Sequence, residues 1–253
     1  KLKEEANYWQ ALCKWKKGSV SASIDELNTL LKNSNSNNIK SKCYLSLAEI
    51  ANESKDIDLS LDYLQEAAKL TTNRNEKGVI YGKLSKMAFD KKAYTLARDG
   101  YNKVIAFSLS KDKIEEAHLK VLKILRIENN YRSAEKKIKS MLLDDKFIRI
   151  SGELELELVQ LYKAQGYLED IESRLETIVN DYQRTSVSAE AYYQLGRIYT
   201  SDKWDLSKAK EYFDMVSKES SRSILSPMAK NYSKAIDLYQ IALKDMEKHK
   251  KIE

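Results

Sequence analysis

The sequence predicts an all-α protein made by repeating one helical hairpin along the chain. Three observations predict it. Tyr44, Tyr81, His118, Glu155 and Tyr192 stand at a constant interval of 37 residues. Ser60, Ala97, Ala134 and Ile171 keep the same interval, and Ala209 follows one residue late. The 253 residues include one proline and seven glycines, so there are few breakers and the helices must be joined by short turns. A fixed period in this range marks stacked supersecondary units, none of which can bury its apolar face alone.

Repeat one, residues 5–37, is the loosest. Tyr8, Ala11, Leu12 and Trp15 stripe its first helix, and Gly18, Ser23, Leu27, Leu30 and Leu31 carry the turn and the second helix. Repeat two, 38–74, places Tyr44, Leu47, Ala48 and Ala51 on one helix and Ser60, Leu64, Ala67 and Ala68 on the next. Repeat three, 75–111, is the cleanest: Tyr81, Leu84, Ser85 and Ala88 fall at i, i+3, i+4 and i+7, one stripe of one helix. Asp90 to Ala93 form its polar turn, and Tyr94, Ala97, Tyr101, Val104 and Ile105 stripe its second helix. Ala97 is small because two helices approach closely there, and a larger side chain would overpack the contact by roughly 1–3 kcal/mol.

Repeat four, 112–148, gives His118, Val121, Leu122 and Leu125, then Tyr131, Ala134, Ile138, Met141 and Leu142. Repeat five, 149–185, gives Leu158, Val159 and Tyr162, then Gly166, Ile171, Leu175 and Ile178. Repeat six, 186–222, gives Tyr192, Leu195, Gly196 and Tyr199, then Ala209, Phe213 and Val216. Ser226-Pro227 reads as an N-cap followed by proline at the first helical position. It opens a capping helix, 226–250, with Tyr232, Ala235, Ile236, Tyr239 and Leu243 on one face and a lysine-rich end. The whole of 1–253 thus reads as one solenoid domain.

Lys and Arg number 44 against 38 Asp and Glu, giving a net charge of +6 with both signs interspersed. That is the solvated surface of a helical array, and a weak basis for nucleic-acid binding. No apolar run approaches the roughly 18 residues that span a bilayer. The chain opens at Lys1 with a helical pattern already running, so the expectation is a piece of a longer protein whose export signal would lie outside it. Cys13 and Cys43 fall on neighbouring helices, and two reduced thiols are expected.

Catalysis finds no support. His118 sits at a packing position, and His249 lies in a lysine-rich tail. No Cys/His cluster has metal-ligand spacing, and no phosphate loop occurs. Glu155 and Glu157 are two apart and so do not face each other on a helix, which predicts a solvated face. A non-enzyme without cofactor is expected.

The segment YYQLGRIY, Tyr192 to Tyr199, followed by AKEYFDMV, Ala209 to Val216, resembles the tetratricopeptide-repeat (TPR) signature almost position for position. His118 and Glu155 depart from its large aromatic, and its late proline is missing. The resemblance implies a right-handed superhelical solenoid of about six helix-turn-helix units with a C-terminal capping helix. The family's usual period is about 34 residues, three fewer than here. The extra residues fall between the second helix of one unit and the first helix of the next, as in Thr71 to Lys77 and Ser108 to Lys113. The expectation is a second helix longer by almost a turn.

The resemblance further implies a concave groove lined by the first helices, at positions one, five and eight residues after the aromatic position. Carried over residue by residue, these are Leu119, Lys123, Arg126, Leu156, Gln160, Lys163, Tyr193 and Arg197, preceded by Leu45, Glu49, Asn52, Gly82, Lys86 and Phe89, with Trp9 and Lys16 in repeat one. Such a groove suits a peptide or protein segment with acidic groups. The family's clamp for chaperone C-termini needs a Lys and Asn set where this chain has Trp9, Cys13, Leu45 and Glu49, so that mode is not expected. Tyr193 and Phe89 beside the cations offer a stacking surface, yet the abundance of acids disfavours nucleic acid. The expected function is a non-catalytic protein-interaction scaffold. The alternative is an assembly subunit packing through its convex face or its ends, with Trp9, Trp15 and Trp204 as contacts. The oligomeric state is left open.

The stretch NDYQRTSVSAEAYYQLGRIY is similar to junctions in bacterial envelope TPR proteins of the outer-membrane-assembly and Tol-Pal-associated types, with Gln183 where those carry proline. This resemblance implies a periplasmic or outer-membrane-associated location ahead of the cytoplasm.

Overall fold

The computed structural model describes residues 2–250, with side chains through Glu247. The described residues contain thirteen α-helices, one 3-10 turn and no strand. The helices are α1 (Leu2–Lys16), α2 (Val20–Asn33), α3 (Asn37–Glu53), α4 (Ile57–Leu70), α5 (Arg74–Asp90), α6 (Tyr94–Phe107), α7 (Lys111–Ile127), α8 (Tyr131–Leu142), α9 (Ser151–Gln165), α10 (Ile171–Asp181), α11 (Ser186–Ser201), α12 (Leu206–Glu219) and α13 (Ser226–Lys250), with the 3-10 turn at Asp145–Ile150. They form two compact units, α1–α7 up to Glu128 and α8–α13 from Asn129 on. The side chain of His249 lies outside the described residues.

In the first unit each odd helix pairs with the even helix after it, and α7 packs on α6. One buried cluster joins Tyr8, Ala11 and Trp15 to Leu27, Leu30, Cys43 and Leu47. A second joins Leu61, Leu64 and Ala67 to Leu84, Ala97, Val104, Val121 and Ile124. In the second unit α11 pairs with α12, α10 packs on both α9 and α11, and α13 closes against α12. Its cores gather Leu156, Val159, Leu175 and Leu195, then Tyr199, Ala209, Phe213 and Ile236.

The two sequence series have distinct physical roles. Ala97, Ala134, Ile171 and Ala209 are buried, Ala97, Ile171 and Ala209 on helices paired within their own unit. Ser60 occupies the same slot by donating its hydroxyl to the Ala48 carbonyl at 2.7 Å, which satisfies the buried polar group. The aromatic series is half-buried: Tyr44 packs on Tyr63, Tyr81 on Phe107 and Tyr192 on Tyr212, with ring centroids 5.9, 6.2 and 6.1 Å apart. His118 shares the position and is likewise half-buried.

A third series closes the hairpins. Gly18, Lys55, Lys92, Asn129 and Gly166 recur at the 37-residue interval, and all have positive φ, as does Trp204 one residue late. After α1, α3, α5 and α9 the next amide reaches back five residues, with Ser19 N bonded to Lys14 O, Asp56 N to Ala51 O, Ala93 N to Ala88 O and Tyr167 N to Tyr162 O, at 2.8–3.0 Å. This is the Schellman closure, in which a left-handed residue lets the last carbonyls find donors. Glycine takes that conformation freely, and a lysine or tryptophan does so at a steric cost.

The added turn lies in the first helix, contrary to the expectation of a longer second helix. Helices α2, α4 and α6 have 14 residues each, while α3, α5 and α7 have 17. Ser34, Thr71 and Ser108 turn extended and stop the second helix. Two residues on, Ser36, Asn73 and Ser110 accept amide hydrogen bonds and start the next helix early. The extra residues are where the sequence places them, and the caps assign them to the following helix.

Both cysteines are free, Cys13 exposed and Cys43 buried. Burial pushes the Cys43 thiol up to about 12. A thiol reagent at pH 8 is therefore expected to label one cysteine in the native protein and two after denaturation. The left-handed Lys92 yields a second expectation: Lys92→Gly raises unfolding stability by about 1 kcal/mol in a urea titration, because the side chain's strain is removed at an exposed site.

Candidate functional site

The groove positions of the first unit fall at i, i+4 and i+7 of α3, α5 and α7, which places each trio on one stripe of its helix. The stripes of α3 and α5 border two clefts. The cleft between α3 and α5, about 370 Å³, is lined by Leu45, Glu49 and Asn52 on one side and Lys83 and Lys86 on the other, with Leu64 and Met87 below. The cleft between α5 and α7, about 410 Å³, is lined by Gly82, Lys86 and Phe89 against Lys113, Glu116 and Lys120, over Tyr101, Val104 and Ala117. All six groove positions expected in repeats two and three line these clefts.

The expected α7 residues stand differently. Leu119 and Arg126 are half-buried, while Lys123 is exposed with its ammonium 5.6 Å above the Phe89 ring. Lys120, one residue beyond the expected position, reaches the same ring at 5.3 Å and lines the cleft. Lys83 bridges to Glu49 at 2.9 Å, tying α5 to α3. Among the described residues Lys86, Lys113, Lys120 and Lys123 have no ion-pair partner. Sequence reasoning missed Lys83 and Lys120, although they too stand 37 residues apart, beside the stripe it followed.

In the second unit two expected groove residues belong to the core. Leu156 packs among Val159, Leu175 and Leu195. Tyr193 is 9% exposed, its ring edge-on to Phe213 and Tyr232 at 5.7 and 6.2 Å. A stripe at helical spacing names a face, but the nearness of the next helix decides whether that face is open. Gln160 is half-buried. Lys163 donates to Gln194 Oε1 at 3.0 Å, and burial holds its ammonium pKa below the usual lysine range. Arg197 is exposed, with its guanidinium 5.8 Å from the centre of the Tyr232 ring.

The remaining tryptophans divide cleanly. Trp15 is buried and its indole donates to Glu53 at 3.0 Å, whereas Trp9 and Trp204 are exposed. Trp204 lies edge-on to Tyr239 at 6.5 Å. No group of His, Cys, Asp and Glu suited to a metal occurs among the described residues, and no described helix is long and apolar enough to cross a membrane.

No family model matches this sequence, and neither does any curated protein. Solved structures do match in fold. A tetratricopeptide repeat protein from Parabacteroides merdae aligns with a TM-score of 0.50 at 14% identity, covering 93% of this chain and 99% of that one. The C-terminal part of a TPR repeat-containing protein from Cytophaga hutchinsonii aligns with a TM-score of 0.51 at 17% identity, covering 85% and 79%. The chain thus has the all-α TPR solenoid fold.

Glu155 and Glu157 are half-buried, where the sequence suggested an open solvated face. Burial raises the Glu155 carboxyl above the usual carboxylate range, with Arg174 pulling it partly back. Its ionisation therefore opposes folding once the pH rises through the unfolded carboxyl range near ~4.3. Glu155→Gln is expected to raise thermal stability at neutral pH, and the gain should vanish near pH ~3, where both states hold the proton.

Proposed function

We propose that this chain is a non-catalytic protein-interaction scaffold that holds an acidic peptide, or an acidic segment of a protein, on the face of its first helices. One observation carries the reading. Two clefts with apolar floors open between α3, α5 and α7, and three of the lysines that line them, Lys86, Lys113 and Lys120, have no acidic partner among the described residues, with Lys123 over the Phe89 ring beside them. Lysines left without a carboxylate at the rim of an apolar cleft favour a ligand that brings its own, since charge-assisted hydrogen bonds then replace hydration. Rigid paired helices fix the receptor side in advance, so ordering entropy falls mainly on the ligand. The similarity of Asn180 to Tyr199 to envelope TPR junctions favours a partner in a bacterial envelope complex.

The test is quantitative affinity capture from the native cell extract with wild type and Lys123→Glu/Arg126→Glu side by side. The expected outcome is a protein held by wild type and reduced at least about tenfold by the variant, at a salt-sensitive rate of capture. Equal retention by both would remove Lys123 and Arg126, and the α7 end of the first-helix face with them, from the interaction.

A further inference from the structure

The position that opens each groove stripe holds Leu45, Gly82, Leu119, Leu156 and Tyr193 in successive repeats. Four of the five are large and apolar, and the fifth has no side chain. At Gly82 no side chain enters the cleft between α5 and α7, whose lining includes the apolar surface of Tyr101, Val104, Ala117 and Phe89.

The fold does not need this glycine. A Cβ built at Gly82 meets only Val104 Cγ2, 4.0 Å away, which is ordinary contact. Gly78, one turn earlier on the same helix, is the opposite case. A Cβ there would stand 2.9 Å from both the amide nitrogen and the Cα of Ser108, so backbone packing demands glycine. A glycine inside a helix costs about 1 kcal/mol relative to alanine. Gly82 thus lowers stability without any packing return, and what it provides is a hole. Lys86, Lys113 and Lys120 surround that hole, with Glu116 and Asp90 as the acids in the same lining.

We propose that the hole at Gly82 is a socket for one large apolar side chain of a partner peptide whose flanking residues are acidic. This inference rests on the peptide-binding reading of the same face. An inserted leucine or phenylalanine would occupy the volume that a leucine occupies in the neighbouring repeats, and its burial supplies the affinity. Carboxylates on either side would meet the unpaired lysines and set position and preference. A peptide is favoured over a nucleic acid because the floor of the recess is apolar, and because Lys120 and Lys123 already stand over the Phe89 ring.

The test is selection of random dodecapeptides by display on immobilised wild type, Gly82→Leu and Lys86→Glu/Lys120→Glu, followed by fluorescence titration of the winning peptides. Circular dichroism and thermal melts should show Gly82→Leu folded and at least as stable as wild type. The expected result is that wild type enriches peptides with one Leu, Phe, Tyr or Trp among Asp and Glu. Replacing that residue by Ala, or the socket glycine by Leu, then weakens binding about tenfold or more. If Gly82→Leu binds the same peptides equally well while the lysine variant loses them, the socket is wrong and the peptide-binding face stands. If all three proteins bind alike, if wild type enriches nothing, or if a fluorescent oligouridine binds more tightly than every selected peptide, both readings fall.

Discussion

Everything in either unit depends on how closely the two helices of a hairpin can approach. The slot at Ser60, Ala97 and Ala209 sets that distance, and all three residues are buried. A close crossing needs a short turn, and a short turn needs the chain to reverse within three residues of the helix end. Within the units, the left-handed residues at Gly18, Lys55, Lys92, Gly166 and Trp204 do this. The backbone geometry is kept even where the side chain resists it, at two lysines and a tryptophan. Constraint therefore lies on the conformation, and residue type follows only where strain would exceed what packing returns.

That distinction explains what could be read from the sequence. The small-residue series was legible because a packed crossing tolerates little volume, so chemistry and position coincide. The aromatic series was legible because each ring packs on an aromatic of the next helix, and it stayed so when His118 and Glu155 broke the pattern. The turn series was hidden because lysine carries no signal for positive φ; only its 37-residue spacing betrays it. The helix boundaries were misassigned by one turn because capping decides them. Ser36, Asn73 and Ser110 are short polar residues in a polar stretch, and nothing in hydrophobic periodicity separates a cap from a loop.

The lining of the clefts was legible on α3 and α5, and less so on α7 and in the second unit. Leu45, Glu49, Asn52, Gly82, Lys86 and Phe89 all reach the clefts, because the helices there are of equal length and keep the same spacing. Around α9 the regularity fails. The connection into it is a 3-10 turn, α10 shortens to 11 residues, and Leu156 and Tyr193 turn into the core. One transferred pattern cannot anticipate this, since it assumes that every repeat presents the same angular face.

A chain under selection for packing alone would fill the position of Gly82 as it fills Leu45 and Leu119, and would pair its lysines with nearby acids as it pairs Lys83 with Glu49. Along the α5–α7 cleft it leaves Gly82 unfilled, and it leaves Lys86, Lys113 and Lys120 without an acidic partner. Local rules broken without a structural return concentrate where a protein meets something else. Here two independent violations, one of volume and one of charge, occur around the same hole. An apolar void and unpaired cations make opposite demands on a solvent-filled cleft, because water is poor company for the first and good company for the second. A single ligand that carries both an apolar side chain and carboxylates satisfies both at once.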